Sequence, residues 1–188
     1  LGIIVDSTNL KSFNASANKG GVTATIDASA AASHLDLTTF TFSEGNDVVT
    51  LDNVAIDKNI NLGAGDDSIT LAAGVTAITK VIDGGSGSNT IAMTALQAHT
   101  AALDDVFEGK ITNFQKLSIG NTLVASTTIN LANMDDINYV ISAGTGALGT
   151  LLLSNMANNG TLELTGATDA TGDITVTMAN ASGNTDKF

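Results

Sequence analysis

The chain has 188 residues, enough for one domain with its own core, and 43% of them are hydrophobic, so it can bury that core and need not be disordered. It carries 19 acidic against 7 basic residues, and the resulting charge of −12 makes nucleic acid and anionic membranes poor partners. Cysteine and proline are both absent, so no disulfide framework or thiolate metal site is available and nothing interrupts a backbone ladder.

Aromatic residues make up only 4%, which leaves a core of Val, Ile, Leu and Ala, residues suited to stacked strands. Among the acids only Glu44, Glu108 and Glu163 are glutamates. The others are aspartates, whose short carboxylate suits tight turns and hard divalent cations. Leu1–Val5 is a short apolar run without the basic start of a signal peptide, and no stretch reaches the roughly 18 apolar residues of a spanning helix. The abrupt ends suggest a piece of a longer protein.

The first forty residues hold two β-type runs, Ile3–Val5 and Thr23–Asp27. Between residues 40 and 93 one pattern occurs three times. A glycine (Gly45, Gly65, Gly87) is followed two residues later by Asp47, Asp67 or Asn89, then by aliphatics at Val49, Ile69 or Ile91 and at Leu51, Leu71 or Met93. The glycines are 20 and then 22 residues apart, a period that marks a solenoid. Five residues before each glycine stand Phe40, Ile60 and Ile82. Spacing of two places side chains on one strand face, so stacked coils would bury three aliphatic ladders.

The intervening half-coils Val54–Asn61 and Val75–Val81 lack the glycine motif, so the glycine turns would line one edge. Coils in such a stack lie about 4.8 Å apart, which brings Asp47 and Asp67 together. Two carboxylates ~5 Å apart repel by about 3 kcal/mol at an effective dielectric of about 20. A bound cation reverses that sign, and calcium accepts six to eight oxygens from carboxylates and turn carbonyls. A calcium ion is expected between the first two turns, and a weaker one between the second and third, where Asn89 replaces the carboxylate.

These segments resemble the G-G-x-G-x-D-x-U-x nonapeptide of RTX proteins. Gly63 to Thr70 matches well, Gly84 to Ala92 departs only at Asn89, and the first copy keeps Gly45 and Asp47. The resemblance implies a calcium-binding β-roll whose turns involve Gly45, Asp47, Gly63, Gly65, Asp67, Gly85, Gly87 and Asn89.

Farther along, Thr94-Ala95-Leu96-Gln97 reads as a capping box, and Leu96, Leu103 and Phe107 recur at helical spacing before Gly109. One amphipathic helix is expected near 95–108, packed through these residues on the solenoid flank. Ile111 to Ile119 returns to alternation as a strand. It resembles the I-x-N-F-E-x-L-x-I segment of RTX-type bacterial surface-layer proteins, with Gln115 where Glu is commoner. Short β runs follow at Thr128–Leu131, Asn138–Ser142, Thr150–Leu153, Thr161–Leu164 and Ile174–Met178. Their Thr/Ala/Asn-rich character is similar to the β-helix of those surface-layer proteins.

His34 and His99 lack a metal-ligand pattern, and the adjacent pairs Asp104-Asp105 and Asp135-Asp136 cannot face one another as acid and base. No serine sits in a nucleophile elbow, and Gly84-Gly85-Ser86-Gly87 lacks the Lys-Ser/Thr ending of a phosphate loop. The expectation is an all-β parallel solenoid over 1–188. Residues 40–93 would form calcium coils, 94–109 a helical insertion, and 110–188 further coils. The surface-layer resemblance implies a non-enzymatic, calcium-binding structural protein, exported by a type I system to the bacterial cell surface and self-associating there. An RTX adhesin module, or the calcium roll of a secreted hydrolase, stays open at this point.

Overall fold

A computed structural model describes residues 1–5, 12–27, 39–52, 55–56, 58–73, 77–103, 108–120, 125–134, 136–145, 149–166 and 172–180. The strands stack in parallel as a β-solenoid, with one short α-helix among the described residues. The chain divides into two compact units, Leu1–Ala92 with Gly109–Phe114, and Met93–Glu108 with Gln115–Phe188.

In the first unit, one ladder runs through Gly2–Val5, Thr23–Asp27, Val48–Asp52, Ser68–Leu71 and Thr90–Met93. A second joins Phe13–Asn14, Thr39–Thr41, Asn59–Asn61, Ile82–Asp83 and Ile111–Thr112. A short third pairs Ala55–Ile56 with Ala77–Ile78. The expected aliphatic registers are present. Val49 pairs Ile69, which pairs Ile91; Leu51 pairs Leu71; and Phe40 pairs Ile60, which pairs Ile82. All of these side chains are at most 3% exposed. Fully burying a Leu or Ile is worth about 1.5–3 kcal/mol, and apolar neighbours above and below reproduce a gain of that order in every coil. Phe13 closes over the top of this column, its ring centroid 5.8 Å from that of Phe40 and 5.0 Å from that of Phe42.

The second unit repeats the scheme. Lys116–Ile119, Tyr139–Ser142 and Thr161–Leu164 form one ladder, and Thr127–Asn130, Leu151–Met156 and Ile174–Met178 form another. Five of these six strands start within a residue of the expected runs; the sixth, Lys116–Ile119, does not. The alternating segment from Ile111 to Ile119 is two strands, not one. Asn113 breaks it with φ of 62°, a left-handed corner that Asn tolerates better than most residues.

The helix also departs from expectation. It spans Ala95–Ala101 and starts on the capping box, with Thr94 Oγ1 accepting from the Gln97 N–H and the Thr94 N–H donating to Gln97 Oε1 at 2.8 Å. Its packed face consists of Ala95, Ala98 and Ala101, whereas Leu96 and Leu103 are 72% and 65% exposed. Phe107 lies outside the described residues. His99 Nδ1 is 2.6 Å from the Thr128 carbonyl oxygen, and Asn133 Nδ2 donates to the Ala102 carbonyl at 3.0 Å, so polar side chains tie the helix in place while the alanines fill its buried face.

Substitutions on the two faces should therefore diverge. Ala98→Leu is expected to cost about 1–3 kcal/mol by overpacking. Leu96→Ala is expected to stay within about 0.5 kcal/mol, as exposed substitutions do. Urea unfolding of the two variants checks this, and the opposite order would restore the leucine face.

Candidate functional site

Residues 43–47, 63–67 and 85–89 form three stacked turns that join the second ladder to the first. They keep coil register, with Ala64 bridged to Ser86, and Ser86 N–H to Gly63 O and Gly65 N–H to Ser86 O both at 3.0 Å. Gly63 has φ of 99°, and a Cβ there would lie 2.1 Å from the Ser43 carbonyl oxygen. Gly87 repeats the situation one coil on, with φ of 125° and 1.9 Å to the Gly65 carbonyl oxygen. Conformation and contact together demand glycine at both. Gly65 and Gly85 complete the positive-φ positions of these turns. Gly45 differs: it is outside that set, and its Cβ would meet Gly21 N and Lys19 O at 2.7 Å.

The carboxylates lie inside the turns rather than along their outer rim. Asp47, Asp67 and Asn89 are 0%, 1% and 0% exposed. Each accepts from a backbone N–H of the preceding coil: Val22 N–H to Asp47 Oδ1 at 2.6 Å, Asp47 N–H to Asp67 Oδ1 at 2.7 Å, and Asp67 N–H to Asn89 Oδ1 at 2.9 Å. One residue earlier, exposed side chains form a second ladder of opposite sense. Asp66 N–H donates back to Asn46 Oδ1 at 2.9 Å, and Ser88 N–H to Asp66 Oδ1 at 2.8 Å. Turn N–H groups outside the strand ladders, buried on the inner side and exposed on the outer, are thus paired by side chains.

The three inner residues satisfy their remaining atoms in different ways. Asp47 Oδ2 accepts from Ser43 N–H at 2.9 Å, and its Oδ1 also accepts from Ser43 Oγ at 2.6 Å. Asn89 turns its amide to two carbonyls, Gly85 O at 3.3 Å and Asn113 O at 3.0 Å. Asn113 is held in turn by its own amide on Asp83 Oδ1 at 2.7 Å, and the same Asp83 oxygen accepts from Gly85 N–H at 2.8 Å. Asp67 Oδ2 is buried and has no hydrogen-bond partner. Burial pushes the Asp67 carboxyl up to about 6. The hydrogen bond from Asp47 N–H works against the rise, and the charges of Asp47 and Asp66 add to it.

An unpaired, buried carboxylate oxygen beside a second carboxylate fits a cation ligand. Among the described residues no cluster of three or more His, Asp or Glu side chains is present, so a cation at Asp67 would take its other oxygens from turn carbonyls, Asp47 and water. The third turn does not fit one in the same way, because the Asn89 amide presents N–H donors where a metal would need lone pairs. Ser43, Asn113 and the outer ladder of Asn46, Asp66 and Ser88 were not anticipated. The outer ladder had a signal, a doublet of polar side chains at Asn46-Asp47, Asp66-Asp67 and Ser88-Asn89 in step with the glycines, whereas Ser43 and Asn113 had none.

Of the other groups considered, His34, Asp104, Asp105 and Asp135 lie outside the described residues. Asp136 is an exposed turn residue with φ of 53°, and His99 serves the helix contact. The chain matches no known protein family, and neither a curated protein nor a solved structure shows significant similarity to it.

Two outcomes follow from the turn geometry. Asn89→Asp replaces the amide donor with an oxygen facing two carbonyls and is expected to cost about 1–3 kcal/mol by chemical denaturation. In chelator, the folded chain binds the Asp67 proton more tightly than the unfolded chain does. The stability that Asp67 contributes should therefore be fully present below the ordinary carboxylate pKa of 3.8 and be lost as pH rises through about 6. That change amounts to about 3 kcal/mol. Asp67→Asn should flatten this slope, and an unchanged slope would place the titration elsewhere.

Proposed function

We propose that this chain is a structural, calcium-stapled solenoid of the bacterial cell surface, with one ion held at the first pair of glycine turns. The observation that carries the reading is the buried, unpaired Asp67 Oδ2 next to Asp47. In this reading Asp67 supplies the principal oxygen, Asp47 the second charge, and carbonyls of the turns containing Gly45, Gly63 and Gly65 complete the shell. Calcium neutralises the repulsion between the carboxylates and removes the penalty of burying Asp67 ionised. Asn89, and with it Gly85 and Gly87, closes the stapled segment without an ion, its amide doing for the third turn what the cation does for the first pair.

A protein built this way is ordered where calcium is plentiful and looser where it is scarce, which suits export through a type I system and assembly outside the cell. The resemblance to RTX surface-layer proteins supports a scaffold role, through self-association into a surface lattice, rather than catalysis. The net charge of −12 repels polyanions.

The test is thermal melting in calcium and in chelator. At a calcium concentration about a hundred times Kd, stability should rise by about 2.7 kcal/mol, a melting shift of roughly 5–10 °C. Asp67→Asn should abolish the shift while the variant keeps its β circular dichroism. Coincident melts of the unaltered chain would assign the turns to hydrogen bonding alone and end the calcium reading.

A further inference from the structure

Ser43 bonds directly to a proposed ion ligand without being one itself. It is 1% exposed and stands four residues before Asp47, as Gly63 and Gly85 stand before Asp67 and Asn89. Of these three positions only the first admits a side chain. Gly63 and Gly85 have φ of 99° and 72°. A Cβ on them would lie 2.1 Å from the Ser43 carbonyl oxygen and 1.9 Å from the Gly63 carbonyl oxygen. Ser43 has no such φ, so the first turn alone can bring a hydroxyl to its carboxylate.

That hydroxyl occupies what a cation would need. Each oxygen of an ionised carboxylate has two lone pairs to offer. On Asp47 Oδ1 both are taken, by the Val22 N–H and by Ser43 Oγ, each at 2.6 Å. Asp47 Oδ2 accepts from the Ser43 N–H at 2.9 Å. Asp67 Oδ2, across from a glycine, has no donor. The serine hydroxyl carries a single proton and has a second acceptor in reach, the Gly45 carbonyl oxygen at 3.1 Å. It can therefore leave Asp47 without becoming an unpaired buried donor.

We propose that the Ser43 hydroxyl competes with the calcium ion for Asp47 and so sets how tightly the first pair of turns holds it. With the ion absent, the hydroxyl closes Asp47. When the ion takes a lone pair of Asp47 Oδ1, the hydroxyl rotates to the Gly45 carbonyl, exchanging a charge-assisted hydrogen bond for a weaker neutral one. No proton changes owner and no covalent bond is made or broken. Ser43 is thus a positioning residue that supports the ion-free turn and opposes loading. This rests on the ion reading above and adds to it the residue that limits affinity. A group that stabilises only the ion-free state must weaken binding by the same factor, so its removal has opposite effects on stability and affinity.

The experiment is calcium titration calorimetry on the unaltered chain and on Ser43→Ala, with urea unfolding of both in chelator and in saturating calcium. Ser43→Ala is expected to bind calcium about ten-fold more tightly. In chelator it should lose the matching stability, about 1.4 kcal/mol, and in saturating calcium almost none. Ser43→Cys, a weaker donor of similar bulk, should fall between the two and serves if the alanine variant fails to fold in chelator. A serine that only supports the turn would lower stability equally with and without calcium and leave Kd in place. That result, or weaker binding by Ser43→Ala, would overturn the proposal while leaving the ion reading intact. Absence of calcium binding in both chains would end the ion reading and the role of Ser43 with it.

Discussion

Each coil of a parallel solenoid must offer the next one the same backbone pattern at the same height, because the strands of successive coils bond to one another rather than within a coil. Strands meet this requirement without help. Turns do not, since their peptide planes rotate away from the stacking direction and leave N–H groups that water cannot reach. Here the inner residues Asp47, Asp67 and Asn89 take those N–H groups, and Gly63 and Gly87 let the backbones come close enough for them to do so. The aliphatic columns depend on this pairing, because a turn that lost its height would carry Val49, Ile69 and Ile91 out of line.

The demand on the turns also explains why one oxygen is left over. A carboxylate has more acceptor sites than the single N–H of the preceding coil can use. Asp47 spends the surplus on Ser43, whose N–H and hydroxyl both reach it. In the second coil the position of Ser43 is taken by Gly63, which has no hydroxyl and a rotated peptide, and Asp67 keeps an unused oxygen. In the third coil the residue itself changes to Asn and meets carbonyls instead. Three equivalent positions thus carry three electrostatic solutions, and only the middle one calls for a counter-charge.

The columns, their register and most strand limits were legible because spacing of two and a period near twenty leave few other folds. Three things were hidden. Helical periodicity marked Leu96 and Leu103 as the packed side, but the buried face is that of Ala95, Ala98 and Ala101, whose small side chains give a weaker periodic signal. The segment from Ile111 to Ile119 reads as one alternating strand only if the phase shift at Phe114 is passed over, and Asn113 turns the chain just before it. The glycine–aspartate spacing suited ion binding and backbone pairing equally, since both need a short acceptor at one point of a tight turn. Nothing in a single sequence separates them; the neighbours that do, Ser43 and Asn113, come from other parts of the turn and from the next coil.

The two side-chain ladders run in opposite senses. Toward the coil that follows it, the second turn offers a donor on the inside, Asp67 N–H, and an acceptor on the outside, Asp66 Oδ1. The arriving turn brings the complement, Asn89 Oδ1 within and Ser88 N–H without. The junction behaves as a keyed two-pin connector. A coil that arrives inverted, or slipped by one residue, loses both matches, and on the inside, where Asp67 and Asn89 are buried, no water replaces the lost bond. Such a key rejects mispaired coils while the chain is still assembling, a safeguard that a column of near-identical aliphatic side chains cannot provide.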